Sequence, residues 1–238
     1  HFSLMSRRLA GRLTTSAPPT GTRCWSRKEW QAWWRQNGTG FVLPREETVA
    51  AALATGPSGG SGKTVSYYDI PLVSSRIAFL LDHSGSMREP IGTDRNRTRL
   101  DEAKAQLKGV IEALPPTHAV NLIAFETHVT ALWEAVTRLH REKRDDFLQA
   151  VDELPLAGST NIYGALEKAF EDEEVDTIYL LADGQPSVGV TDTDDILEAL
   201  QRANRTRQVV IHCISIGLDS DLLKRLAAMT GGEYRYVR

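Results

Sequence analysis

Three stretches of this sequence put oxygen-bearing side chains at the ends of apolar runs. The first is Asp82-His83-Ser84-Gly85-Ser86-Met87, directly after Arg76–Leu81. One carboxylate and two hydroxyls alternate there with other residues, and Gly85 lets the loop bend closely. The second is Gly158-Ser159-Thr160-Asn161, ahead of a helical pattern, and the third is Ala182-Asp183-Gly184, closing the run Thr177–Ala182. Taken singly, Ser84 or Thr160 reads as a cap or turn former and Asp183-Gly184 as an ordinary turn. Taken together they supply two carboxylates and three hydroxyls, the hard oxygen donors that Mg2+ or Mn2+ prefers.

The elements that must position these residues alternate in kind. Arg76–Leu81, Val120–Phe125, Val129–Trp133, Thr177–Ala182, Val209–Ile216 and Tyr234–Val237 are predicted strands, the last an edge strand. Residues 100–114, 144–154, 162–170, 196–203 and 222–229 have helical apolar spacing, and Pro115-Pro116 ends the first of them. The expected fold class is therefore α/β: a doubly wound, mostly parallel open sheet with helices on both faces. Ligands of such sheets bind beyond the C-terminal strand ends, where strand order reverses.

Asp82-x-Ser84-x-Ser86, then Thr160, then Asp183-Gly184 resembles the metal-ion-dependent adhesion site of von Willebrand factor A (VWA) domains, in a bacterial-type form. Leu81–Met87 and Leu181-Ala182-Asp183-Gly184-Gln185-Pro186 are similar to the family's two most recognisable stretches. The resemblance covers about residues 72–238. It implies a Rossmann-like fold, direct metal contacts from Ser84, Ser86 and, with a ligand bound, Thr160, and contacts from Asp82 and Asp183 largely through water. It also implies a sixth position open to an Asp or Glu of a protein partner. Neutral hydroxyls next to the ion leave its charge free to attract that carboxylate. His83 reads as a surface residue lining the partner site, with Arg88, Glu89 and Asp94 on the same rim.

The expected function is thus divalent-metal-dependent protein binding without catalysis. One alternative is the non-catalytic arm of a AAA+ or chelatase-type machine. Another is a metal-assisted hydrolase, which would need a general base such as His83. A third is a structural segment with an idle metal. No metalloprotease spacing and no Gly-x-Ser-x-Gly elbow is present.

Composition narrows the partners. The 238 residues are 41% hydrophobic and 25% charged, with net charge -3, the balance of a globular chain. Residues 1–70 hold nine Lys and Arg against four Asp and Glu, whereas residues 71–238 hold nineteen against twenty-seven. An acidic body argues against nucleic acid. No apolar run approaches the ~20 residues of a membrane span, and no signal-peptide core is visible. The chain lacks an initiating Met, so it is expected to be a piece of a longer protein. The compartment reading leans to the cytoplasm, and the sequence assigns no oligomeric state. Cys213 reads as a buried strand residue and nothing suggests a disulfide framework.

The expected organisation has three parts. Residues 1–55 form a partly helical segment with Trp30, Trp33 and Trp34 on one face after a capping box at Ser26 and Glu29. Residues 56–71 form a Gly/Ser linker and a lead-in strand over Val65–Leu72, and residues 72–238 the VWA domain. Gly62-Lys63-Thr64 evokes a phosphate loop, but Pro57 stands where that pattern needs glycine, and a strand rather than a helix follows.

Overall fold

The computed structural model describes Arg35 and residues 65–92 and 94–238. The chain divides into two compact units, His1–Lys63 and Thr64–Arg238. The Trp-rich face, Cys24 and the Gly/Ser segment lie outside the described residues.

The expected lead-in strand is a hairpin, β1 (Ser66–Tyr67) and β2 (Ile70–Pro71), paired antiparallel. Its two turn residues, Tyr68 and Asp69, both have positive φ (48° and 64°). That is the backbone of a two-residue turn matched to strand twist, and it reverses the chain within the span expected as one strand, Val65–Leu72. The hairpin buries Tyr67 and Ile70 in the domain core. It also disposes of the phosphate-loop idea from the downstream side, because no helix N-terminus follows Lys63-Thr64 within residues 65–72.

β3 (Arg76–Asp82) is the centre of the main sheet. A 3-10 helix (Gly85–Arg88) and a short hairpin, β4 (Pro90–Ile91) and β5 (Asp94–Thr98), lead to α1 (Arg99–Ala113). Then follow β6 (Ala119–Phe125), β7 (Val129–Ala131), β8 (Thr137–Arg138), α2 (Arg141–Glu153) and α3 (Ile162–Glu171). β9 (Thr177–Ala182), α4 (Thr193–Arg207), β10 (Val210–Ile216), α5 (Asp221–Thr230) and β11 (Tyr234–Val237) complete the chain. The sheet order is β11-β10-β9-β3-β6-β7, with β8 also on β6. β7 and β8 pair antiparallel, and every other pairing in that sheet is parallel.

Alternation along β3 explains why both faces are apolar. Ile77, Phe79 and Leu81 pack with residues of α1 and α2 on one face. Ala78 and Leu80 pack with residues of α3, α4 and α5 on the other. A strand buried on both sides loses the polar half of its period, so it reads as a continuous apolar run. On the first face Phe79 lies against Tyr179, with ring centroids 5.6 Å apart, and meets Phe147 edge-on at 6.3 Å. α1 starts with a reciprocal cap in which Thr98 accepts from the Asp101 N–H and the Asp101 carboxylate accepts from the Thr98 N–H.

From β3 the chain first builds outward to β6, then returns to lay β9 on the opposite side of β3. The strand order therefore reverses between β3 and β9. These two strands end in Asp82 and lead into Asp183.

Candidate functional site

The five residues singled out in the sequence come together at this reversal. Asp82 is the last residue of β3, and its Oδ1 accepts from the Ser84 N–H at 2.8 Å, folding the loop back over the strand end. Thr160 Oγ1 donates to Ser84 Oγ at 3.1 Å, and Ser84 Oγ lies 3.2 Å from Ser86 Oγ. Ser86 Oγ donates to Asp183 Oδ1 at 2.7 Å. One run of contacts thus joins Thr160, Ser84, Ser86 and Asp183, with Asp82 tied in through the Ser84 backbone.

Local structure accounts for each placement. The His83 N–H donates to the Phe125 carbonyl, extending the β3–β6 pairing one residue past Asp82. Met87, fully buried, anchors the 3-10 helix that carries Ser86. The Gly85 N–H donates to the Gly158 carbonyl, so the loop with the two serines rests on the loop with Thr160. Gly158 sits at φ +62°, the conformation that favours glycine, and a Cβ there would also displace the Glu126 and Thr127 side chains. Asn161 caps α3 through Gly164 N–H, as a residue opening a helix should.

His83 departs from expectation. Rather than lining the rim, it is buried, 8% exposed, and its Nδ1 lies 2.7 Å from the Pro155 carbonyl. The Ala157 N–H also donates to the His83 carbonyl. Both contacts tie the residue to the 155–157 segment rather than to the rim. Arg88 and Glu89 are exposed as anticipated.

Two residues that sequence reasoning missed complete the arrangement. Ser187 Oγ accepts from the Thr160 N–H, and the Ser187 N–H donates to the Thr160 carbonyl, both at 2.9 Å. Arg99, the first residue of α1, donates to Asp183 Oδ2 at 2.9 Å. A serine after Gln185-Pro186 and an arginine at a helix start are ordinary sequence features. Only the folded chain shows where they reach.

The electrostatics are unbalanced. Asp82, Ser84, Thr160 and Asp183 are all buried. Burial is the main cause that pushes the Asp82 carboxyl up to about 7, repulsion from Asp183 adds to it, and hydrogen bonds from Ser84 and from the Asp183 backbone oppose it. Asp82 Oδ2 is buried without a hydrogen-bond partner, a costly condition for a carboxylate oxygen. Among the described residues no group of three or more His, Cys, Asp or Glu could hold a metal ion. Any cation here would have to draw on the hydroxyls as well as the two carboxylates. The donor set suits a hard divalent ion for that reason: all oxygen, with one carboxylate oxygen lacking a partner.

A doubly wound sheet with an oxygen-rich cluster at its switch point defines a class of ligand-binding α/β domain. Comparison with known proteins narrows the class. Residues 75–236 match the model of the von Willebrand factor type A domain, and the chain belongs to that family. Human von Willebrand factor A domain-containing protein 3A is 28% identical over 169 residues, covering 68% of this chain and 13% of that protein. Human protein 3B is 27% identical, covering 67% of this chain and 12% of the relative. The chain therefore spans about an eighth of the length of these relatives. Among solved structures, a von Willebrand factor type A protein from Catenulispora acidiphila is 22% identical, with TM-score 0.58 over 68% of this chain and 38% of its own. BatB from Bacteroides thetaiotaomicron is 16% identical, with TM-score 0.54 over 68% of this chain and 89% of its own. These two likenesses are of fold. With human proteins and bacterial structures both similar to the chain, family membership alone does not make it bacterial.

Proposed function

We propose that this domain holds a divalent cation, Mg2+ or Mn2+, on Asp82, Ser84, Ser86, Thr160 and Asp183, and through it binds a protein partner that presents an Asp or Glu side chain. The observation that carries the reading is Asp82 Oδ2, a buried carboxylate oxygen with no donor beside a second carboxylate and three hydroxyls. Hydrogen bonds from Ser84 and from the Asp183 backbone offset only part of the cost of burying this carboxylate, and a cation would offset more. When bound, the ion supplies a Lewis-acidic position at which a partner's carboxylate can complete the coordination. Ser84, Ser86 and Thr160 contribute neutral oxygens that do not cancel the ion's charge. Ser187 and the Gly85–Gly158 contact keep the three loops in register. Membership of the VWA family supports an interaction role.

The organisation that goes with this reading is a binding domain preceded by a linker and a separate Trp-rich segment, and the division after Lys63 supports it. Service as the non-catalytic arm of a AAA+ or chelatase-type machine would use the same binding mode. The hydrolase alternative is not favoured, because His83, its nearest base, is buried and engaged with the Pro155 carbonyl. Among the described residues no helix is long and apolar enough to cross a membrane.

Calorimetric titration of Mg2+ and Mn2+ into the 238-residue chain tests the first half. Wild type is expected to bind one ion and Asp183→Ala none. Partner capture in Mg2+ and in EDTA tests the second half. A partner retained equally by wild type in both and by Asp183→Ala would overturn the mechanism and move binding to another face.

A further inference from the structure

Of the two carboxylates at the strand ends, one already has a cation from the chain. Arg99 Nη1 meets Asp183 Oδ2 at 2.9 Å, and the Asp183 side chain is fully buried while that of Arg99 is 18% exposed. Arg99 is held from three sides. Its backbone N–H donates to the Glu89 carbonyl at 2.9 Å, and the Thr98–Asp101 cap fixes the helix turn it begins. Its guanidinium lies against Gly217 at the end of β10, where a Cβ would fall 2.2 Å from Nε, 2.4 Å from Cζ and 2.7 Å from Nη2. Gly217 has φ +78°, a conformation that calls for glycine, and a Cβ there would push the guanidinium aside. Asp82 has no such partner for Oδ2.

We propose that Arg99 sets the charge of the site. It offsets one of the two carboxylates, so that a divalent ion held there keeps a net positive charge with which to draw in an acidic side chain. This rests on the cation reading above. Without Arg99, Asp82 and Asp183 would neutralise a divalent ion, favouring the ion itself and disfavouring an anionic ligand on it. With Arg99, cation affinity is sacrificed for affinity toward the partner's carboxylate. The effect is Coulombic and acts across a few ångströms in a buried setting, where screening is weak.

The test uses Mn2+ and acetate as probes on the 238-residue chain. Calorimetry gives Mn2+ affinity, and paramagnetic broadening of the acetate methyl resonance gives carboxylate capture by the Mn2+-loaded protein. Arg99→Gln is expected to tighten Mn2+ roughly three- to tenfold and to weaken acetate capture by a similar factor. Arg99→Lys, which keeps the charge, should stay within about twofold of wild type on both. A folded Gln variant with unchanged or weaker Mn2+ binding overturns the proposal, since Arg99 would then serve only to hold Asp183 in shape. Should the Gln variant not fold, Lys decides: retained acetate capture supports a charge role, and lost capture in a folded protein refutes it. Failure of wild type to bind Mn2+ at all would remove the cation reading, a result separate from either.

Discussion

Strand β9 is flanked by two aspartates, each paired with an arginine, yet its two ends behave differently. At the start, Asp176 Oδ2 accepts from Arg76 at 3.1 Å, and Oδ1 accepts from the Ser74 hydroxyl and, at 3.1 Å, from the Thr177 hydroxyl. Every carboxylate oxygen there has a donor. At the far end, Asp183 is equally well served by Arg99 and Ser86. The difference is Asp82, which brings a second carboxylate into the same enclosure without a cation of its own. A paired aspartate is a closed structural unit. In the cation reading proposed above, the additional unpaired one next to it is the charge an ion would answer, and it lies at the switch point of the sheet.

The largest test of this contrast is Asp82→Asn. Removing the excess charge should raise stability in EDTA, because the Ser84 N–H keeps its acceptor while the repulsion with Asp183 disappears. The same change should abolish stabilisation by metal. In wild type that stabilisation should reach about 2.7 kcal/mol at a hundred times the dissociation constant. Urea melts of both proteins with Mg2+ and with EDTA measure the four values. A metal-free Asn variant less stable than wild type would show that Asp82 is not the uncompensated group.

The pH profile sharpens the comparison further. A carboxyl raised to about 7 in the folded state binds protons there that the unfolded chain has already released. Metal-free stability should therefore fall as pH rises from about 4 through about 7, by on the order of 2–4 kcal/mol. Asp82→Asn should flatten that slope, and saturating Mg2+ should reverse it by favouring the ionised form. Denaturation midpoints across this range check the sign. The opposite end of the strand predicts something else. Asp176→Ala should cost about 1–2 kcal/mol by removing the nearer of the two carboxylates on Arg76, with Glu174 remaining at 3.9 Å, and the loss should be the same with and without Mg2+.

Periodicity and strand-end chemistry carried much of this structure. Arg76–Leu81 and Thr177–Ala182 were legible because burial on both faces leaves uninterrupted apolar runs, and Asp82 and Asp183 stood out by ending them. Ser84, Ser86 and Thr160 were legible as a set, since their order matched strand ends that a parallel sheet gathers at one edge. What escaped was whatever depends on contacts between distant segments. Arg99 lies 84 residues from Asp183, and its role depends on α1 beginning just where its guanidinium can rest on Gly217. Tyr68 and Asp69 hid a turn because neither is glycine, although both take positive φ. Ser187 gave no signal because its contribution, two bonds to the Thr160 backbone, depends on a loop return that spacing does not encode.

His83 gives the most discriminating of the tests. It stands between Asp82 and Ser84 in a polar loop, which is why it reads as a rim residue. Its ring is instead the fastener between the loop carrying the serines and the loop carrying Thr160, through the Pro155 carbonyl. His83→Ala should cost about 1–3 kcal/mol of metal-free stability, the worth of one buried hydrogen bond plus the space the ring leaves. It should also weaken Mn2+ a few-fold, because Thr160 loses one restraint while Ser187 and the Ala157 N–H to His83 carbonyl bond remain. A rim residue would behave in the opposite way, leaving stability and Mn2+ affinity untouched and changing only the partner's affinity. Melting curves together with Mn2+ calorimetry on the one variant separate the two roles, since a fastener moves both measurements and a rim contact moves neither.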